Sequence, residues 1–156
     1  SGVEGRLQYL GDISGAKVYN DNNATTPEAT VCGLKAVGKL DENNVVLIIG
    51  GSDKNIEFGE LPEAISQYCK KVILYTGTGT EKLKATLSAE VETEEFEMLS
   101  ECVEAAAKAA ASTDAILFSP AFSSFGKYFK NEYDRNDQFV LHVAEQIGKA
   151  AESEVE

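Results

Sequence analysis

Histidine, methionine and tryptophan are almost missing from this 156-residue chain, which has His142, Met98 and no tryptophan. A sole histidine and no G-x-S-x-G elbow leave a Ser-His-Asp hydrolase without support. His142 reads as a surface or half-buried position on the last helix. Cys32, Cys69 and Cys102 are odd in number and form no C-x-x-C, so a zinc or thioredoxin-type site has no basis. They are expected to be buried, reduced thiols of a cytoplasmic protein. Cations are scarce, 14 Lys and Arg against 26 Asp and Glu, for a net charge of −12. That balance excludes the basic footprint that nucleic acid or an anionic membrane requires, though not a local cationic pocket for a small anion. No apolar run approaches the ~18 residues of a membrane span, and no signal peptide is seen. There is no G-x-x-x-x-G-K-[ST] phosphate loop. Ser1-Gly2 reads as a cloning remnant, and with Met98 the only methionine the chain is expected to be a fragment of something longer.

What is present alternates. "RLQYL" (6–10) and "AKVYN" (16–20) read as a hairpin across "GDISG". Thr26 suits an N-cap and Pro27 the first turn of a helix carrying Val31, Leu34 and Val37, which Gly38 ends. The apolar runs "NVVLIIGG" (44–51), "KVILYTG" (71–77) and "DAILFSP" (114–120) read as strands buried on both faces. Helices are expected at "FGELPEAISQYC" and "TEKLKATL", and a short strand at "EVET". Thr93, Glu94 and Glu95 are read as opening an Ala-rich helix to about Ala111. The last helix is read with Phe139, Val140, Val143, Ala144 and Ile147 on one stripe. The acidic stretches 90–104 and 152–156 read as solvated helix faces and a tail from about 151. This order predicts one α/β domain over 1–156, a Rossmann-like open, mostly parallel sheet with helices on both faces.

Ligands of such sheets bind outside the carboxyl ends of the strands, which selects 20–25, 50–54, 76–80 and 119–124. "GGSDKN" offers close backbone approach and a cation, Lys54, for a carboxylate or phosphate; from the spacing alone a tight turn with a solvated lysine explains it better. "TGTGT" (76–80) lacks the third glycine of a dinucleotide fingerprint, since Lys82 stands there. In "NDNNAT", Asp21 suits ribose hydroxyls and Thr25 an anion at the helix start, while capping and an Asx-turn account for the same residues. "SPAFSSF" supplies Ser119, Ser123 and Ser124, better fitted to anion recognition than to nucleophilic attack. Lys127, Lys130 and Arg135 follow it.

"GVEGRLQYL", "VYNDNNATTPEAT", "LIIGGSDKN" and "LFSPAFSSFGKYFKNEYDRNDQF", in that order, resemble the C-terminal domain of the Mur ligases. Within that family the likeness is greatest to the branch that adds D-glutamate to UDP-N-acetylmuramoyl-L-alanine. The S-P-A-x-x-S-F block followed by F-K-N-x-x-x-R carries most of the specificity. The resemblance implies an ATP- and Mg2+-dependent amide ligase of peptidoglycan synthesis, cytoplasmic and monomeric, that works through an acyl phosphate. UDP-N-acetylmuramoyl-L-alanine, ATP and magnesium would be held by domains upstream, and this chain alone would bind no cofactor and have no ligase activity. It implies D-glutamate contacts at Thr25, Lys54 and Ser124, with Phe129 or Tyr133 supplying the ring against the ligand's methylenes. It implies nucleotide contacts at Arg6, to phosphate, and Asp21, to ribose. No catalytic residue or metal ligand is implied here. The resemblance also implies that Asn23, standing where many relatives carry lysine, should weaken carboxylate binding or domain closure unless another lysine compensates. A domain of another Mur-type ligase, a non-catalytic nucleotide- or metabolite-binding module and an oxidoreductase domain remain as other readings.

Overall fold

The computed structural model describes residues 3–53, 55–124 and 128–155. Among these, β1 (Gln8–Ile13) and β2 (Ala16–Asn20) precede α1 (Pro27–Val37), β3 (Val45–Ile49) and α2 (Leu61–Tyr68). β4 (Cys69–Tyr75), α3 (Thr78–Lys84), β5 (Thr93–Phe96), α4 (Leu99–Ala109), β6 (Ala115–Phe118) and α5 (Glu132–Val155) follow. They form one sheet of order β1-β2-β6-β3-β4-β5, parallel except for the β1–β2 hairpin. The expected fold class is the observed one. The hairpin turn is tighter than "GDISG" suggested: Ile13 pairs with Ala16, and Ser14 and Gly15 turn with φ of 48° and 91°, as a two-residue hairpin loop requires.

The central strands alternate between two cores. Val45, Leu47, Ile49, Val72, Leu74 and Leu117 face α1 and α2, where Leu34, Leu61 and Ile65 complete one cluster. Val46, Ile48, Ile73, Tyr75, Ile116 and Phe118 face α4 and α5, meeting Cys102, Val103, Phe139 and Val143. Helices on both faces explain why these strands have no polar alternation. Thr26 caps α1 by accepting from the Ala29 N–H at 3.2 Å, with Pro27 in the first turn.

Three expectations fail locally. Residues 93–96 are strand, not the start of a helix, because β5 pairs in register with Val72–Tyr75. Its acids are held by cations from neighbouring elements, Glu94 by Lys71 and Glu95 by Lys84. The Ala-rich helix begins only after Met98, whose N–H donates to Glu101 Oε1. Cys32 is exposed, one residue round the helix from buried Val31, whereas Cys69 and Cys102 are buried; all three are free. Ala144 is exposed, so the stripe of α5 runs through Phe139, Val143 and Ile147.

Candidate functional site

The carboxyl ends of the parallel strands lie level: Asn20 beside Phe118, Phe118 beside Ile48, and Ile49 beside Leu74. β6 is inserted between β2 and β3. The chain leaves β2 and β3 toward the α1–α2 face, but leaves β6 toward the α4–α5 face. Strand connections therefore diverge on both sides of β6, and a crevice opens at each point of divergence.

The smaller crevice, about 320 Å³, is lined by Gly51, Ser52, Tyr75–Thr78, Ser123, Ser124, Tyr128 and Phe129. Its floor is built by close backbone approach. Ser52 N–H donates to the Ser123 carbonyl at 3.3 Å, and Gly79 N–H to the Gly51 carbonyl at 3.0 Å. A Cβ on Gly77 would sit 2.3 Å from the Gly51 carbonyl oxygen, and one on Gly79 would sit 2.5 Å from the Phe122 ring. The glycines of "TGTGT" are thus accounted for by packing against the β3 loop. Asp53 fastens that loop: its carboxylate pairs with Lys82, its Oδ1 accepts from Asn55 N–H at 2.9 Å, and its N–H donates to Thr78 Oγ1 at 2.9 Å. The Lys82 ammonium holds the Asp53 carboxyl below the ordinary carboxylate range. Ala121, buried just after β6, has φ 65°. A non-glycine residue in that region stores strain of the kind that aims a loop.

The polar inventory of this crevice is unusual. Tyr75, Ser123 and Ser124 are each about 95% buried, and none of their three hydroxyls has a hydrogen-bond partner. Buried hydroxyls are normally satisfied, so three in one crevice mark a surface built for something else to fill.

The larger crevice, about 600 Å³, lies between the β2 loop and α5 and is lined by Val3, Glu4, Asn22, Asn23, Thr25, Glu132, Tyr133, Asn136 and Asp137. Here the asparagines are engaged. Asn23 Nδ2 donates to the Glu4 carbonyl, Asn136 Nδ2 to Glu4 Oε1, and Asn20 Nδ2 to Asn136 Oδ1 at 2.8 Å.

Arg135 stands between the two crevices and is fully buried. Its Nε donates to Asn22 Oδ1 at 2.7 Å, Nη2 to the Asn22 carbonyl at 3.0 Å and Nη1 to the Phe122 carbonyl at 3.0 Å. These partners are neutral, and none of the described ion pairs includes Arg135. The guanidinium acts on Tyr75, lowering its phenol's pKa, but burial outweighs it and the pKa is pushed up to about 12.

The expected site residues fall into separate places. Ser124 and Phe129 line the smaller crevice, Phe129 edge-on to Tyr75 with ring centroids 6.2 Å apart. Thr25 and Tyr133 line the larger one, Tyr133 at its rim and 82% exposed. Lys54 lies outside the described residues. Arg6 is exposed, whereas Asp21 is buried. Asp21 Oδ1 accepts from Leu7 N–H at 3.2 Å, and Oδ2 accepts from Ser119 Oγ at 2.8 Å. Burial raises the Asp21 carboxyl above its ordinary value, against those bonds and the nearby Arg6 charge. Sequence reading did not mark Tyr75 or Arg135 as site residues. The only available signals were a tyrosine ending an apolar strand and an arginine in the F-K-N-x-x-x-R block.

A family described as Mur ligase, glutamate ligase domain matches residues 5–122. The chain is 36% identical over 138 residues to the UDP-N-acetylmuramoylalanine–D-glutamate ligase of Aquifex aeolicus. It is 37% identical over 143 residues to the ligase of the same name from a Roseiflexus species. Each alignment takes in 88% of this chain but only 32% and 29% of the relative. The chain therefore spans about a third of their length. Among solved structures, the MurF ligase of Thermotoga maritima in complex with ADP superposes over 96% of this chain and 32% of that one, with a TM-score of 0.65 and 14% identity. The UDP-N-acetylmuramate-alanine ligase of Thermotoga maritima covers 92% of this chain and 31% of its own, with a TM-score of 0.59 and 19% identity. At such identities the likeness is one of fold.

Proposed function

Because this chain belongs to the Mur ligase glutamate ligase domain family, we propose that it is the amino-acid-binding, C-terminal domain of an ATP-dependent ligase that joins D-glutamate to UDP-N-acetylmuramoyl-L-alanine. The observation that carries the reading is the 36–37% identity to ligases named for that reaction. The smaller crevice supports it: free hydroxyls at converging strand ends suit a ligand with two carboxylates.

In this reading the parent enzyme works in the cytoplasm as a monomer on a soluble nucleotide, in the synthesis of peptidoglycan precursors. ATP supplies the phosphoryl group that activates the alanyl carboxylate as an acyl phosphate. The D-glutamate amine, having lost a proton to solvent, attacks the acyl carbon, the C–N bond forms, phosphate departs with the electrons of the broken C–O bond, and the nitrogen gives its second proton to that phosphate. The task of this domain is to hold the amino acid. Ser124 donates to one carboxylate and Lys54 supplies a cation, while Thr25, which lines the larger crevice, donates to the other carboxylate across the wall between the two crevices. Phe129 packs on the methylenes; it shares the crevice with Ser124, whereas Tyr133 lies in the other one.

Arg6 is exposed and enters none of the described ion pairs, which suits contact with a nucleotide phosphate. Asp21 has both oxygens engaged, yet a carboxylate keeps further lone pairs for a ribose hydroxyl. Among the described residues no group of three or more His, Cys, Asp or Glu is placed to hold a metal ion. In this reading magnesium belongs with the phosphates in the upstream domains.

The test is phosphate release by the full-length parent with UDP-N-acetylmuramoyl-L-alanine, ATP and D-glutamate. Release that needs all three supports the reading. Release with another amino acid in place of D-glutamate overturns the substrate assignment, and release by this chain alone overturns the division of labour among domains.

A further inference from the structure

Tyr75 ends β4 on the α4–α5 face, lines the smaller crevice and packs its ring against Phe118 and Phe129. A phenylalanine would make those ring contacts equally well. The hydroxyl is what requires explanation: it is buried and has no hydrogen-bond partner. Beside it lies the Arg135 guanidinium, near enough for its charge and its N–H groups to act on the phenol oxygen; having only donors, it leaves the O–H proton without an acceptor. Arg135 is itself a buried cation with no described carboxylate partner. Burying a charge without an opposite one is costly, and so is burying a hydroxyl without an acceptor. An anion entering the crevice relieves both costs together. The unpartnered Ser123 and Ser124 hydroxyls line the same space.

We propose that Tyr75 is a further specificity-determining residue of the amino-acid site, its hydroxyl donating to a carboxylate of the incoming amino acid while the buried Arg135 behind it supplies the attracting positive charge. This inference rests on the proposed function in so far as the occupant is a dicarboxylic amino acid. The phenol remains protonated through the neutral range because its pKa lies near 12, so it can donate to a carboxylate. Arg135 does not reach the ligand; it is a positioning residue that holds the Asn22 and Phe122 carbonyls and polarises the crevice.

The experiment uses the full-length parent and its Tyr75→Phe variant, with the amino acid varied among D- and L-glutamate, D- and L-aspartate and D-alanine. The expected result is a KM for the accepted dicarboxylic amino acid about tenfold higher in Tyr75→Phe, roughly 1.4 kcal/mol. Turnover stays within about twofold, the KM for ATP does not move, and melting temperature is little changed because the buried O–H has no acceptor to lose. An unchanged amino-acid KM overturns the inference, as does a rise confined to ATP or to the muramoyl nucleotide. If the wild type prefers a dicarboxylic amino acid other than D-glutamate, and Tyr75→Phe raises the KM for that one, the D-glutamate assignment falls and Tyr75 stands. Acceptance of D-alanine alone, or of none of the five, overturns both.

Discussion

Arg135 grips Asn22 twice, through its side-chain oxygen at 2.7 Å and its backbone carbonyl at 3.0 Å, and so ties the start of α5 to the loop that leaves β2. The third bond, to the Phe122 carbonyl, ties in the loop that leaves β6. One planar fork thereby fixes the wall shared by both crevices. A lysine carries the same charge but cannot reproduce the fork. Arg135→Lys is expected to destabilise the domain by about 1.5–3 kcal/mol, the worth of at least one hydrogen bond to a charged group. Urea unfolding measures it. A midpoint equal to wild type shows that the fork contributes nothing.

Asp21 makes a pH prediction. Its pKa in the folded chain is raised by burial, so between the ordinary carboxylate range and that raised value the native state binds more protons than the unfolded state. Stability from this group is therefore greatest at low pH and declines as pH rises through that interval. The difference in melting temperature between wild type and Asp21→Asn isolates it from the many other acids. Wild type should lose ground relative to Asp21→Asn as pH goes from about 4 to 7, the ordinary Asp value being near 3.9. A difference that is flat or grows with pH rules out the raised pKa.

The strands buried on both faces were legible because covering both sides of β3, β4 and β6 leaves no room for polar residues, and an unbroken apolar run is the trace of that. Thr93–Phe96 was misread for the opposite reason. The partners of its acids, Lys71 and Lys84, come from other elements, so locally the segment looks like an acidic helix start. The four strand ends were identifiable, but not their division into two crevices, which depends on β6 being inserted between β2 and β3. Tyr75 was hidden most completely. At the end of "KVILY" it passes as a core aromatic, and only the packed structure shows that its hydroxyl is unanswered.

Three glycines should respond to alanine in three ways. At Gly77 the new methyl meets the Gly51 carbonyl oxygen at 2.3 Å, a backbone atom that cannot swing aside, so a loss of about 1–3 kcal/mol is expected together with a shifted β3 loop. At Gly59 nothing lies within 4 Å, but φ is +53°, and alanine should lose roughly 1 kcal/mol to backbone strain alone. Gly148 lies inside α5 with open space around it, so Gly148→Ala should add about 0.5–1 kcal/mol. Denaturant midpoints of the three variants settle the order. A stable Gly77→Ala would mean that the floor of the smaller crevice is not rigid.

Ser124 separates a binding role from a structural one. If its hydroxyl capped the turn after β6, replacing it would cost a hydrogen bond and lower the melting temperature. The structure gives that buried hydroxyl no partner, so in the free domain the bond to be lost does not exist. Ser124→Ala should therefore leave thermal stability unchanged or slightly improved, because an unsatisfied buried hydroxyl is removed. In the full-length parent the same variant should weaken D-glutamate use, as kcat/KM, by roughly 1–3 kcal/mol, the cost of a charged hydrogen bond left unmade. The KM for ATP should not move, because the smaller crevice holds the amino acid and not the phosphates in this reading. Both measurements are needed together. A fall in stability with normal D-glutamate kinetics assigns Ser124 to the turn, whereas weakened D-glutamate use at constant stability and constant ATP affinity assigns it to the ligand.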